Sequence, residues 1–167
     1  MNGRALFALV FVVCAGLLGV AFYMEYVVGL EPCPLCWLQR FGFMGAGLVS
    51  LVAALHGPGQ TGMRVYGLLL ALTSGAGLGM AGRQLWLQSL PADQVPACGP
   101  SVDYMLEVFP LSEVLMTALK GTGDCAAVVW RFLGLSIPGW SAVFFALLIV
   151  LGVLTLFGLG SNKKPQP

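Results

Sequence analysis

The stretch LEPCPLCWLQRFGF, residues Leu30 to Phe43, joins a proline-flanked loop to the start of a long apolar segment. It holds Cys33 and Cys36 in a Cys-x-x-Cys pattern, and Arg40 follows four residues after the second cysteine. Such a pair can bind a metal ion, brace a loop or exchange electrons. The sequence around the pair has to decide between these uses.

The composition of the chain places it in a membrane. Of 167 residues, 58% are hydrophobic and only 9% are charged, whereas a soluble domain carries about 25% charged residues. So few polar side chains cannot cover a globule in water. The net charge of +1 and the lack of a basic run argue against a nucleic-acid partner.

Four segments are long enough to cross a hydrocarbon core of about 30 Å, which needs roughly 20 apolar residues in a helix. They predict one all-α membrane domain over residues 1–167, an integral membrane four-helix bundle with a short and a long loop on the same side. The predicted spans cover about residues 5–24, 37–55, 65–84 and 140–159, and the loops cover about 25–36 and 85–139. Six glycines in the second and third spans suit close helix packing in lipid: Gly42, Gly45, Gly47, Gly75, Gly77 and Gly79.

A signal peptide is the alternative for the first segment, because Arg4 precedes its apolar run. Its length exceeds the usual apolar region of about 7–15 residues, and no small-x-small cleavage site follows. As a span, it lets Arg4, Arg64, Lys163 and Lys164 share one side, which the positive-inside rule assigns to the cytoplasm. We therefore expect both termini in the cytoplasm and both loops in the periplasm of a bacterial inner membrane.

The cysteines divide in the same way. Cys33, Cys36, Cys98 and Cys125 fall in or beside the predicted periplasmic loops, where an oxidising compartment permits disulfides. Cys14 lies in the middle of the first span, where a thiol normally serves as a small apolar packing residue. The four outer cysteines are therefore the candidates for chemistry.

Metal binding and structural bracing are the two alternatives to redox chemistry. Structural zinc usually takes four ligands, often as two close pairs, and here only one pair is close while His56 is predicted on the other side of the membrane. A bridge between Cys98 and Cys125 would brace the long loop by about 3.6 kcal/mol in the loop-entropy model. A Cys33–Cys36 bridge closes almost no loop, which favours redox chemistry for that pair, although a metal-handling protein or a structural membrane protein remains the alternative.

The setting of Cys36 favours an anionic sulfur. It is predicted in the first turn of the second span, where free backbone N–H groups and the helix dipole attract negative charge, and Arg40 follows at i+4. Cys33 lies further out, where it can meet another thiol. A lipid-soluble quinone is then the natural electron acceptor for Cys36, with Arg40 stabilising a reduced oxygen; the alternative is that Arg40 anchors the helix at the headgroups.

The long loop carries the second pair of cysteines. PACGP around Cys98 predicts an exposed, turn-rich site that another protein's thiol can attack. LSEVLMTALK, residues 111–120, predicts a short amphipathic helix that lies on the membrane. VVWRFLGL, residues 128–135, predicts a second one, with Trp130 and Phe132 at the interface.

In combination, these motifs are specific. CPLCWLQR before the second span, a cysteine in the loop after the third, and GDCA then WRFLGLSIPGW before the fourth resemble the disulfide bond formation protein B (DsbB) family. The resemblance covers nearly the whole chain. It implies an inner-membrane enzyme that oxidises a periplasmic thioredoxin-fold dithiol protein (DsbA-like) and reduces ubiquinone or menaquinone.

The resemblance also implies roles for single residues. The partner's thiol would attack Cys98 and so release Cys125 from a disulfide. Cys125 would then attack Cys33, and Cys36, assisted by Arg40, would pass the electron pair to quinone. Four cysteines nevertheless allow three disulfide connectivities.

The chain departs from some members of the family at two places. Gln39 stands where some relatives carry an acidic residue, and the imidazole that lies near the quinone in some relatives is missing. Arg83 or Gln84, near the end of the third span, is the candidate to replace it as a quinone contact.

Overall fold

A computed structural model describes residues 3–158, and four of its helices are long and apolar enough to cross a membrane. These four are α1 (Gly3–Tyr26), α2 (Pro34–His56), α3 (Gln60–Gln88) and α6 (Ile137–Leu156). The long loop between α3 and α6 holds α4 (Val102–Val108), α5 (Leu111–Lys120), a 3₁₀ turn at Gly123–Cys125, β1 (Arg131–Phe132) and β2 (Leu135–Ser136). The prediction of an all-α four-helix membrane bundle is confirmed.

α1, α2 and α3 extend beyond the predicted spans at both ends, whereas α6 begins three residues before its predicted span and ends at Leu156, short of the predicted end at residue 159. α2 begins at Pro34, three residues earlier than predicted, because Pro suits the first turn and Cys33 forms the N-cap. α3 continues at both ends, from Gln60 to Gln88. Residue 159 of the predicted fourth span, and Lys163 and Lys164, lie outside the described residues.

The core of the bundle is aromatic and aliphatic. α3 packs along α6, while α2 packs along both α1 and α3. At the centre, Phe43 of α2 stacks on Phe145 of α6 with ring centroids 4.0 Å apart. Cys14 is buried in the same cluster, as predicted for a packing residue.

The predicted glycine contacts are partly correct. A Cβ atom on Gly42 would lie 3.0 Å from the Phe145 ring and 3.2 Å from the Gly77 backbone, so this pair does allow close packing. Around Gly75 and Gly79, by contrast, no atom of the described chain lies within 4 Å of such a Cβ. These two glycines face away from the other helices.

The closest approach between helices lies elsewhere, where α3 crosses α6. A Cβ atom on Gly152 would lie 2.6 Å from the Gly67 carbonyl oxygen and 3.0 Å from the Ala71 nitrogen. Both of these neighbours are backbone atoms, which cannot rotate aside. Gly67 faces Gly152 at the same crossing, with the Gly152 carbonyl oxygen 2.7 Å from where its own Cβ would lie, so the α3–α6 contact depends on both glycines.

The long loop matches one of the two helix predictions. α5 spans Leu111 to Lys120 as expected, with Val114 and Ala118 buried and Leu115 exposed. The second prediction is wrong: VVWRFLGL contains the hairpin of β1 and β2 instead of a helix. Leu133 and Gly134 both have positive φ, 50° and 82°, as in a type I′ turn between two strands.

Substitution of Gly152 tests the helix contact. Gly152→Ala should lower the melting temperature in detergent by about 3–10 °C, since overpacking against backbone costs about 1–3 kcal/mol. Gly79→Ala, into open space, is the matched control and should not lower it. Equal melting temperatures for the two variants, measured by fluorescence or circular dichroism, would show that α3 and α6 do not approach this closely.

Candidate redox site

The first two cysteines form a unit at the start of α2. Cys33 is extended (φ −67°, ψ 163°) and its sulfur accepts the backbone N–H of Cys36 at 3.4 Å. This cap folds the Cys-x-x-Cys segment so that the two sulfurs lie 2.8 Å apart, both as thiols. Cys36 does occupy the first helical turn, as predicted, but its own backbone N–H donates to Cys33.

Cys125 joins this pair from the long loop. The 3₁₀ turn buries its side chain completely, in a cluster with Leu35 of α2, Leu87 of α3 and Cys33. The preceding Gly121 has a φ of +78°, and a Cβ there would meet the side chains of Leu87 and Leu35. A glycine is therefore needed where the loop enters this cluster.

Hydrogen bonding between Cys125 and Cys33 gives their sulfurs opposite character. A hydrogen bond from the Cys33 thiol lowers the pKa of Cys125 to about 6, against the opposing effect of burial. The same bond to Cys125 raises the pKa of Cys33. Backbone hydrogen bonds of Leu35 and Thr122 also favour the Cys125 thiolate. Cys125 therefore favours the thiolate form and lies in the cluster against which Cys33 packs.

Cys98 lies on the solvent side of the same turn. Its thiol is exposed, and a hydrogen bond with the Asp124 carboxylate raises its pKa. Asp124 also accepts the Gly99 N–H at 3.2 Å, and Gly123 donates to the Ala97 carbonyl at 3.0 Å. These bonds hold the Cys98 segment beside the turn that carries Cys125.

A buried glutamine connects the three inner cysteines. The Gln84 Nε2 lies 3.3 Å from both the Cys33 and the Cys36 sulfur, and 3.5 Å from the Cys125 carbonyl oxygen. Its Oε1 accepts a hydrogen bond of 2.6 Å from Gln39 of α2. One side chain of α3 thus contacts both the redox pair and the incoming loop.

Arg40 is enclosed by protein. It is only 7% exposed, forms an ion pair with Glu25 of α1 and donates to the Ala21 carbonyl at 3.1 Å. The rings of Phe22 and Trp37 lie 5.0 and 5.2 Å from its guanidinium carbon. The alternative of an anchor at the lipid headgroups does not fit this burial. Among residues 3–158, however, the hydrogen bonds of Arg40 go to α1 and none goes to Cys36.

A mostly apolar cavity of about 420 Å³ lies on the membrane side of the pair. Cys36, Gln39 and Arg40 supply polar groups to its wall. A row of aromatic rings also lines it, with neighbouring centroids 5.8 to 6.4 Å apart: Trp130, Phe132, Trp140 and Phe144. A volume of this size, with few polar groups, suits an apolar ring compound.

The structure also places four other residues that the sequence analysis singled out. Trp130 and Phe132 do not lie on the expected helix: Phe132 is in β1, Trp130 precedes that strand, and both line the cavity. Their expected position at the membrane interface stays a prediction. Within the described residues, neither Arg83 nor Gln84 lines the cavity. Arg83 instead donates to the Lys120 carbonyl at 3.0 Å and so fixes the end of α5.

Sequence reasoning missed the partners of the expected residues. The Gln39–Gln84 pair joins two helices 45 positions apart in the chain, and no local pattern signals such a contact. The ion pair of Glu25 could have been predicted in part, because an acidic residue at the end of an apolar span needs a partner. Arg40 is that partner.

Comparison with known proteins agrees with this site. The family model of "Disulfide bond formation protein DsbB" matches residues 3–155. "Disulfide bond formation protein B" of Marinobacter nauticus is 80% identical over 156 residues, 93% of each chain. The proteins of the same name from Hahella chejuensis and Chromobacterium violaceum are 60% and 55% identical, and each alignment covers at least 97% of both chains.

These matches extend over the four long helices and the loop that carries Cys98 and Cys125. All residues of the site lie within the matched region, residues 3–155. The three relatives are 55–80% identical to the chain. The chain is a multi-pass membrane protein, and it belongs to the DsbB family of disulfide bond formation proteins.

Proposed function

We propose that this protein reoxidises a periplasmic thioredoxin-fold dithiol protein, a DsbA-like partner, and passes the electrons to membrane quinone. The observation that carries the proposal is the position of Cys125, which is buried against Cys33 while Cys36 lines the apolar cavity. This order of sulfurs supports a path from an exposed loop to the interior of the membrane.

The first exchange uses the exposed cysteine. A partner thiolate attacks Cys98 of a Cys98–Cys125 disulfide, which forms a mixed disulfide and releases Cys125 as a thiolate. The partner's second thiolate then displaces Cys98, so that the partner leaves oxidised. The exposure of Cys98 supports this direction, and so do the backbone hydrogen bonds of Leu35 and Thr122, which favour the Cys125 thiolate as the leaving group.

The second exchange moves the electrons inward. Cys125 attacks Cys33 of a Cys33–Cys36 disulfide, and Cys36 is released. Cys98 then displaces Cys33 from Cys125, which restores the loop disulfide and leaves Cys33 and Cys36 reduced. Each step exchanges one sulfur–sulfur bond for another, and the net result is transfer of two electrons and two protons to the inner pair.

The cavity supports quinone as the final acceptor. A bound quinone, ubiquinone or menaquinone, supplies an acceptor for two electrons and two protons. The aromatic row offers flat surfaces for its ring, and Arg40 and Gln39 offer hydrogen-bond donors for its oxygens. Cys36 lines the same cavity as Arg40 and Gln39, so its sulfur would lie next to a bound quinone ring and could donate electrons to it.

The distribution of charge supports the orientation. Arg4 and Arg64 lie at the end of the bundle opposite the cysteines, which assigns that end and both termini to the cytoplasm. The redox loops then face the periplasm of the bacterial inner membrane, as parts of one membrane domain over residues 1–167. The exposed apolar face of α5, with Leu115 and Leu119, would rest on the lipid surface.

Turnover with a partner tests the proposal. Purified protein, a reduced thioredoxin-fold dithiol protein and quinone are mixed without oxygen, and quinone absorbance is followed. Wild type should reduce the quinone; Cys33→Ser and Cys98→Ser should abolish turnover, because each breaks the chain of exchanges. Cys14→Ala is the matched control and should retain activity, since Cys14 only packs the core.

The same assay separates the rival functions. A structural membrane protein with two bracing disulfides would consume no quinone, and its disulfides would resist mild reductant. A metal-handling protein would retain stoichiometric metal after purification. Unchanged turnover in both serine variants would contradict the proposed route.

Arg40 should act on quinone binding. Since Arg40→Ala alone leaves the partly buried Glu25 without its partner, the double variant Glu25→Gln/Arg40→Ala is compared with Glu25→Gln. Loss of the guanidinium should raise the KM for quinone about tenfold, the value of a hydrogen bond to a charged group. The KM for the dithiol protein should not change. Arg64→Ala, at the opposite end, is the control, and an unaltered quinone KM would limit Arg40 to a structural role.

A further inference from the structure

We propose that Gln84 is a positioning residue that sets the reduction potential of the Cys33–Cys36 pair. This inference deepens the proposed function and rests on it. The side chain of Gln84 is only 3% exposed, and its Nε2 lies 3.3 Å from each of the two sulfurs. Because the two sulfurs lie only 2.8 Å apart, one N–H of this amide can be shared between them, and both of these acceptors are reacting atoms.

The orientation of the amide is fixed from the opposite side. Gln39, itself 4% exposed, donates to the Gln84 Oε1 at 2.6 Å. With its oxygen held by Gln39 in this way, Gln84 turns its amide nitrogen toward Cys33 and Cys36. The pairing also ties α3 to the first turns of α2, so the donor keeps its distance from the sulfurs.

A packing role alone does not account for this arrangement. Burying an amide costs free energy unless its hydrogen bonds are made, and an apolar side chain would fill the same space without that cost. All of the hydrogen bonds that Gln84 makes in the described structure go to Gln39, to the two sulfurs or to the Cys125 carbonyl. Both polar atoms of the Gln84 side chain therefore form their hydrogen bonds within the candidate redox site.

The effect on potential follows from charge. A disulfide sulfur is a weak acceptor, whereas a reduced sulfur carries more negative charge and accepts N–H donors more strongly. Gln84 therefore stabilises the dithiol form relative to the disulfide and makes the pair a stronger oxidant of Cys125. Because Gln84 does not line the apolar cavity, this effect requires no contact with quinone.

The test measures the potential directly. Quinone-free protein with Cys98→Ser/Cys125→Ser, in which only the Cys33–Cys36 pair titrates, is equilibrated in detergent with reduced and oxidised dithiothreitol. In Gln84→Leu, the equilibrium constant for oxidising dithiothreitol should fall about tenfold, which corresponds to a potential about 30 mV lower. Thiol alkylation and mass spectrometry give the fraction reduced.

Two further variants make the result specific. Gln84→Glu keeps the shape of the side chain but places a carboxylate beside the sulfurs, so it should lower the potential at least as much at neutral pH. Gln88→Leu, one turn further along α3, removes an amide that accepts from Ser136 and contacts neither sulfur, so the potential should stay the same. Should Gln84→Leu fail to fold, Gln84→Glu decides the question.

A change of less than twofold in both Gln84 variants would overturn the inference, as would an equal change in Gln88→Leu. Neither outcome depends on the proposed electron path, because no quinone and no partner protein are present. Failure of wild type to reduce quinone would instead contradict the proposed function and leave the measured potentials valid.

Discussion

The contact between Cys125 and Cys33 is the interaction on which the rest of the site depends. It brings a residue of the long loop to the first turn of α2, two places separated by most of the chain. The contact needs Gly121, whose left-handed backbone passes between Leu87 and Leu35. It also needs the end of α5 to stay in place, which the hydrogen bonds from Arg83 to the Lys120 carbonyl provide. Apolar packing and one cationic anchor thus place Cys125 beside the Cys33–Cys36 pair.

The helix start then gives the two sulfurs of the pair separate surroundings. Pro34 begins α2 and Cys33 caps it, so the chain turns within four residues from loop to helix. Cys33 faces the loop turn with Cys125, and Cys36 faces the cavity with Arg40. Because both sulfurs also meet the Gln84 amide, they stay close to each other while they face different partners. This arrangement suits a relay in which thiols enter at one side and electrons leave at the other.

Much of this site was predictable because it depends on local spacing. The Cys-x-x-Cys pattern, the proline at its centre and the apolar run after it indicate a helix start with Cys36 in its first turn. The i+4 spacing of Arg40 correctly placed it on the wall that Cys36 shares. The four spans follow from hydrophobicity alone, since a bilayer of about 30 Å fixes the helix length.

The remaining features depend on contacts between distant segments, which no local pattern carries. The apolar residues of VVWRFLGL are spaced in a way that is compatible with both a short helix and a hairpin. The positive φ values of Leu133 and Gly134 form the turn of a hairpin. Glu25 and Gln39 acquire their roles only after α1 and α3 have packed on α2. In the same way, the glycine pattern of the sequence did not single out Gly152, because only the packed bundle shows that it meets the backbone of Gly67 and Ala71.

The proximity of Cys33 and Cys125 is the central claim, and disulfide mapping tests it most directly. In a Cys36→Ser/Cys98→Ser variant, Cys33 and Cys125 are the remaining cysteines of the redox end, while Cys14 lies within the bundle core. On mild oxidation with oxidised glutathione, non-reducing peptide mapping should find an intramolecular Cys33–Cys125 disulfide in most molecules. If the two thiols stay free, carry only glutathione or link separate molecules, the loop does not bring Cys125 to the pair, and the account is wrong.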